Sequence, residues 1–196
     1  MSSILNILLA SASPRRSHLL QEHNYTFDVC PANVEEMENV DADPVVLVTH
    51  NSSIKADFIS RLHPKRLVLG ADTTVALDAH VLNKPFDLAD AARMLKMLSG
   101  RAHTVYTGVA LQCFEKKLKM QRVVESRVVF KTLSEGRIQE YFQIVNPLDK
   151  AGAYGIQEGK EMIIDHFEGS FSNIMGLPME ALAEMMSAAE AYLTLS

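Results

Sequence analysis

The sequence predicts a mixed α/β protein: a twisted mixed sheet with flanking helices, in one domain whose two lobes surround a deep cleft. Three observations predict it. Apolar runs that read as strands alternate with stretches that read as helices, the pattern of a layered α/β fold. Two long segments, 103–114 and 118–133, follow each other across Lys116-Lys117 and read as a central hairpin, so the sheet is not purely parallel. No Pro/Gly-rich linker divides the 196 residues, a length that supports one sizeable core.

The elements follow in order. Ile4–Ala10 is an apolar run that reads as a buried strand. Arg15 to about His23 reads as a short helix, with Ser13 a good N-cap and Pro14 suited to the first helical position. Thr26–Cys30 is a short strand closed by Pro31, and 33–43 is an acidic loop. Pro44 opens a helix through Leu62, with Val45, Val48, Ile54, Phe58 and Leu62 on a partial stripe; Asn51-Ser52-Ser53 interrupts it with residues that compete for backbone hydrogen bonds. Arg66–Ala71 reads as a strand buried on both faces. Thr74–Leu77 and His80–Leu82 flank Asp78-Ala79 as a tight hairpin.

Asp87 caps a helix to Leu98, with Leu88, Ala91, Ala92, Leu95 and Leu98 inward, and Ser99-Gly100 stops it. After the central hairpin, Ser134-Glu135-Gly136 begins a helix to about Ile144. Gly152–Ile156 and Met162–Phe167 read as short strands, 169–176 as a loop, and Pro178 as the start of a final helix to about Leu195.

Composition narrows the function classes. With 47% hydrophobic and 22% charged residues, the chain is that of a soluble globular protein. A net charge of −5 without a basic tail or stripe argues against a duplex nucleic acid partner. The N-terminal apolar run is too short to span a membrane and lacks a charged flank and cleavage site. Cys30 and Cys113 stand far apart without metal-like spacing, which suits a reducing, cytoplasmic setting. His18, His103 and His166 have no ligand spacing and read as structural or surface residues. No Gly-x-x-x-x-Gly-Lys-Ser/Thr loop and no Gly-x-Ser-x-Gly elbow is present.

Several stretches carry chemistry. Ser11-Ala12-Ser13-Pro14-Arg15-Arg16 joins a strand to a helix start; it is a phosphate-binding turn with two forked donors, or an ordinary capped helix with two solvated arginines. Ser11, Ser13 and Ser170 are ligands or caps, not nucleophiles. Asp72, read as following a buried strand, would sit at a sheet's carboxyl end, where it could hold a divalent cation, take a proton from water, or merely cap a turn. Lys84, between Asn83 and Pro85, could return to that sheet end and meet a phosphate, or be solvated. Glu35 and Glu36 offer a second carboxylate or a solvated acidic loop. The run from Asp149 to Gln157 brings small residues close to something, and Gln157 can both donate and accept, as reading a base requires. Gly169-Ser170 to Pro178 is a second candidate anion site.

Taken together, these stretches resemble the Maf family of nucleoside triphosphate pyrophosphatases. The matching positions are Ala10 to Arg16, Glu36, Lys55-Ala56, Leu69 to Thr73, Asn83-Lys84-Pro85 and Leu98-Ser99-Gly100, then His103, Val105 and Thr107-Gly108-Val109. They continue through Asp149 to Gln157, Gly169-Ser170 and Gly176-Leu177-Pro178. Their order and spacing over nearly the whole chain carry the resemblance. The segment Val48–Ile54 is more polar than the family's usual helix at that place.

The resemblance implies a fold similar to that of the inosine triphosphate pyrophosphatases, and members are often dimers, so a homodimer is a candidate assembly. It implies hydrolysis of a nucleoside triphosphate to the monophosphate and pyrophosphate with a divalent metal cation, Mg²⁺ or Mn²⁺. On that reading Asp72 is the proton acceptor or a metal-bridging carboxylate, and Glu36 is the second metal carboxylate. Arg16, Lys55 and Lys84 hold phosphates, helped by backbone N–H groups after Ser13. Arg15, Thr73 and Gln157 read the base and look like the branch that acts on dTTP and UTP, with modified pyrimidine nucleotides in reach. The rivals are a 7-methyl-GTP or broad non-standard-nucleotide pyrophosphatase, and a nucleotide-binding cell-division regulator without turnover.

Overall fold

The computed structural model describes residues 6–78 and 80–195. Its centre is one seven-stranded mixed sheet. Strand β1 (Ile7–Leu9) lies between β2 (Phe27–Val29) and β3 (Leu67–Leu77), parallel to both. The remaining strands, β4 (His80–Leu82), β5 (Ala102–Cys113), β6 (Leu118–Phe130) and β7 (Ile164–Glu168), pair antiparallel. Ile4 and Leu5 of the expected first strand, and Ala79 of the expected turn before β4, lie outside the described residues.

The two strands expected at 66–71 and 74–77 are one. β5 pairs with β3 without a break, from Val68 opposite Gln112 to Ala76 opposite Thr104, and this ladder carries 70–74 through. Asp72 is therefore mid-strand, not past a strand's carboxyl end. The topological logic survives through β1, whose last register partner on β3 is Leu69. β4 covers Val75 to Leu77 on the same side. Between them, residues 70–74 have strand partners only on the β5 side, and this gap in the sheet opens into the cleft.

Helix α1 (Pro14–Glu22) follows β1, and α2 (Pro44–Leu62) crosses one face of the sheet. Leu8, Ala10, Val68 and Ala110 meet Ala56 and Ile59 there. Two glycines set how close α2 comes. A Cβ on Gly70 would lie 2.3 Å from the Ser52 carbonyl, and one on Gly108 would lie 2.2 Å from that of Val48. The polar run in α2 does not break the helix, because each residue has a use. The Ser52 hydroxyl bonds back to the Val48 carbonyl at 2.6 Å and accepts from Gln121, while Asn51 reaches out of the helix.

The other face packs against α3 (Leu88–Leu98), α4 (Glu135–Phe142) and α7 (Met179–Leu195), with Leu95, Tyr141 and Leu182 fully buried. Leu88, expected inward, is 54% exposed at the helix's first position, and Met94 takes the buried place. Gly152–Ile156 is not a strand: Gly152 and Ala153 both have positive φ and close a 3₁₀ turn at Ala151–Ala153. Met162 belongs to the single-turn α5 (Lys160–Ile163), which leads into β7. The expected loop 169–176 contains α6 (Phe171–Met175). No helix among the described residues is long and apolar enough to cross a membrane.

Candidate active site

The sheet gap is the floor of a cleft of about 740 Å³. That volume suits a nucleotide-sized ligand. Its walls are the turn into α1, the loop 31–40, one face of α2, the segment 83–86 and the stretches 149–157 and 174–176.

On the α2 side, Lys55 joins two carboxylates. Its Nζ lies 2.8 Å from Asp72 Oδ1 and 2.5 Å from Glu36 Oε2. Lys55 and Asp72 are both buried, at 7% and 9% exposure, whereas the Glu36 side chain is 40% exposed. Asn51, one helical turn before Lys55, donates to Asp72 Oδ2 at 3.1 Å. The same side chain clamps the loop that carries Glu36, accepting from the Met37 N–H at 2.8 Å and donating to the Met37 carbonyl at 3.0 Å. The close glycine contacts press this face of α2 onto β3, so helix register and sheet register together assemble the cluster. Glu35 lies outside the cleft lining.

On the α1 side, Arg16 is buried and committed to three acceptors. Nη1 donates to Ser11 Oγ at 2.9 Å, Nη2 to Thr73 Oγ1 at 3.2 Å and Nε to the Gly176 carbonyl at 2.9 Å. Burial pulls its guanidinium pKa down, opposed by the charge of Asp72. Thr73 alternates with Asp72 along β3 and faces the other way, where it meets Thr107 Oγ1 at 3.0 Å. Ser13 occupies the N-cap of α1 but makes no side-chain capping bond; the Ser11 hydroxyl takes the Ser13 N–H instead.

Three candidates sit on the rim. Arg15 pairs with Asp149, while Lys84 and Gln157 are exposed and line the cleft. Behind the wall, the Tyr154 hydroxyl meets His103 Nε2 at 2.7 Å. Burial pushes the His103 pKa down to about 3, so the ring is neutral, and raises that of the Tyr154 phenol. The expected anion site at 169–178 is filled by the protein's own carboxylate. Glu180 Oε2 accepts from the Ser170 hydroxyl at 2.9 Å and from the Ser172 hydroxyl at 3.1 Å.

The sequence reading missed Asn51 as a site residue. Its signal was there: a polar residue four positions before a lysine, on one helix face. It also missed Asp149 as a partner of Arg15, a contact 134 positions apart in the chain that no local pattern encodes.

Among the described residues no group of three or more His, Cys, Asp and Glu side chains is disposed to hold a metal ion. Asp72 and Glu36 supply hard oxygen atoms of the kind a small divalent cation takes, but here Asp72 Oδ1 and Glu36 Oε2 accept from the Lys55 ammonium and Asp72 Oδ2 accepts from Asn51.

The sequence profile of the family described as Maf-like protein matches residues 6–189. A dTTP/UTP pyrophosphatase of Syntrophus aciditrophicus (strain SB) is 42% identical over 180 residues, covering 92% of this chain and 88% of that protein. The dTTP/UTP pyrophosphatase of Koribacter versatilis (strain Ellin345) is 42% identical over 182 residues and covers 93% of each. That of Clostridioides difficile (strain 630) is 40% identical over 182 residues, covering 93% of this chain and 94% of its own. Among solved structures, a HAM1 protein from Coxiella burnetii aligns with a TM-score of 0.42 and 20% identity, over 63% of this chain and 73% of that one.

Proposed function

The chain belongs to the Maf-like protein family, and from that premise we propose that it hydrolyses pyrimidine nucleoside triphosphates, dTTP and UTP, to the monophosphate and pyrophosphate. The observation that carries the proposal is the Asp72–Lys55–Glu36 cluster on the floor of a nucleotide-sized cleft.

Water attacks the α-phosphorus, the bond to the bridging oxygen breaks, and pyrophosphate leaves. Negative charge spreads over phosphate oxygens in the transition state, so positioned cations and donors carry most of the catalysis. Asp72 accepts the proton of the attacking water. Asn51 on one oxygen and Lys55 on the other fix the plane of that carboxylate before substrate arrives. Lys55 balances two carboxylates that would otherwise repel the triphosphate. Lys84, exposed on the rim, reaches the phosphates as a mobile point charge. Arg16 ties Ser11, Thr73 and Gly176 into one frame that joins the phosphate end at Ser13 to the base side. Arg15, Thr73 and Gln157 form the base side, where an arginine donor and an amide suit the carbonyls and N3–H of uracil or thymine. Asp72 and Glu36 would hold Mg²⁺ or Mn²⁺, which neutralises phosphate charge when bound. The two free thiols suit a cytoplasmic setting, and the assembly is a homodimer, with sedimentation as its measurement.

The test is pyrophosphate release from a panel of nucleoside triphosphates with Mg²⁺, with Mn²⁺ and after chelation, wild type beside Asp72→Asn. Release from dTTP and UTP that needs the cation and Asp72 supports the reading. Release from 7-methyl-GTP instead keeps the reaction and overturns the base-side assignment. Binding without release from any nucleotide overturns hydrolysis and favours a nucleotide-binding regulator.

A further inference from the structure

Arg15 and Gln157 lie far apart in the chain, yet one short charged network joins their supports. Arg15 Nη1 donates to Asp149 Oδ2 at 2.9 Å, and Nη2 donates to the Asp149 carbonyl at 3.2 Å. Two acceptors from a single residue fix the plane of the guanidinium, not merely its position. The second carboxylate oxygen of Asp149 takes Lys150 Nζ at 2.8 Å. Lys150 is itself buried at 7% exposure, and its ammonium also donates to the Asn146 carbonyl at 2.8 Å. A Cβ on Gly155 would lie 2.9 Å from Lys150 Cε, so the lysine stem packs directly under the backbone two residues before Gln157. The same ammonium stands 3.9 Å from the carboxylate of Glu158, the residue after Gln157. Lys150 thus touches the chain on both sides of Gln157.

Stability alone gives little reason for the Arg15–Asp149 pair, whose side chains are 25% and 47% exposed and open to screening by water. What the network fixes is orientation. We propose that Asp149 and Lys150 are positioning residues for base selection, holding Arg15 and the Gln157 backbone as one reading unit. The inference rests on the base-side assignment of Arg15 and Gln157 made above. Asp149 keeps the Arg15 fork aimed at the base end and, by occupying part of its charge, keeps it from being drawn to the triphosphate. An arginine fork held this way favours the O4 carbonyl of uracil or thymine over the 4-amino group of cytosine, because two donors cannot pair.

The experiment measures kcat and KM for UTP, dTTP and CTP with the full chain and saturating Mg²⁺ or Mn²⁺. The variants are Asp149→Ala, Asp149→Glu, Arg15→Ala and the Arg15→Ala/Asp149→Ala double. Asp149→Ala is expected to shrink the UTP-over-CTP ratio of kcat/KM by about tenfold, mainly through KM, with kcat on UTP within about threefold of wild type. Asp149→Glu recovers part of the ratio, and Asp149→Ala adds little once Arg15 is gone. Equal losses on every nucleotide would mark a merely structural role and overturn the proposal. So would an unchanged ratio in Asp149→Ala where Arg15→Ala changes it. A ratio that Arg15→Ala leaves untouched overturns the base-side assignment itself, whatever Asp149 does.

Discussion

Lys55 Nζ donates to Asp72 Oδ1 at 2.8 Å, helix to strand, with both side chains buried. The contact orients the Asp72 carboxylate at the cleft floor. Asp72→Asn keeps the shape and removes the charge. Turnover on dTTP or UTP is expected to fall about 10²–10⁴-fold, the range for a lost general base, and the melting temperature to fall as well, because the new amide nitrogen must face Lys55 or Asn51, both donors. Steady-state pyrophosphate release beside a melting curve checks it; near-normal turnover removes Asp72 from its role.

Asn51 connects the Glu36 loop to Asp72 through one amide. Asn51→Ala leaves every proposed catalytic group in the chain but frees two of them to drift. A drop in kcat of about 10–100-fold is expected, since misplacement of about 1 Å can lose that much. If kcat is unchanged while stability falls, Asn51 is only a loop clamp.

Gly108 stands directly across the sheet from Asp72. A Cβ there would overlap the Val48 carbonyl, a backbone atom that cannot rotate away. Gly108→Ala is expected to lower stability by roughly 1–3 kcal/mol, as overpacking does, and to lower kcat as α2 shifts and carries Lys55 with it. Gly136, whose added Cβ would meet nothing nearer than 3.9 Å, is the control: Gly136→Ala in α4 should leave activity intact. Urea denaturation and turnover assays on both variants decide the point.

His103 is buried with a pKa of about 3, and its Nδ1 has no hydrogen-bond partner among the described residues. Unfolded, it titrates near 6.5, so between pH 6.5 and about 3 the unfolded chain binds the extra proton. Stability is therefore expected to fall as pH drops through that window, by about 2 kcal/mol from His103 alone between pH 7 and pH 5. His103→Gln, which cannot titrate, should show a shallower decline in urea midpoints over the same range. Identical slopes would show that His103 does not supply the pH dependence.

Much of the fold was legible because the patterns that encode it are local. Pro44 and the apolar stripe gave α2 its true limits even across Asn51-Ser52-Ser53, and the structure adds Asp43 as its N-cap. Asp87 before α3 and Ser134 before α4 both cap as their types suggest. The failures have a common cause. Gly152–Ile156 looked extended because small residues and glycines fit a strand edge, a tight turn or a close approach equally well. The break expected inside β3 came from judging Asp72 by its polarity, when the ladder to β5 overrides local preference.

By itself the sequence determined most of the long elements, the mixed sheet and the set of charged groups available for chemistry, since periodicity, caps and residue types are properties of short stretches. The tertiary structure alone decided which of those groups meet. Lys55 lies on Asp72 because Gly70 and Gly108 let a helix approach the sheet, and Arg15 lies on Asp149 because two distant segments close one cleft. Contacts of this kind follow from the packing of whole elements, where one missing Cβ sets the distance, and no short stretch of chain carries that information.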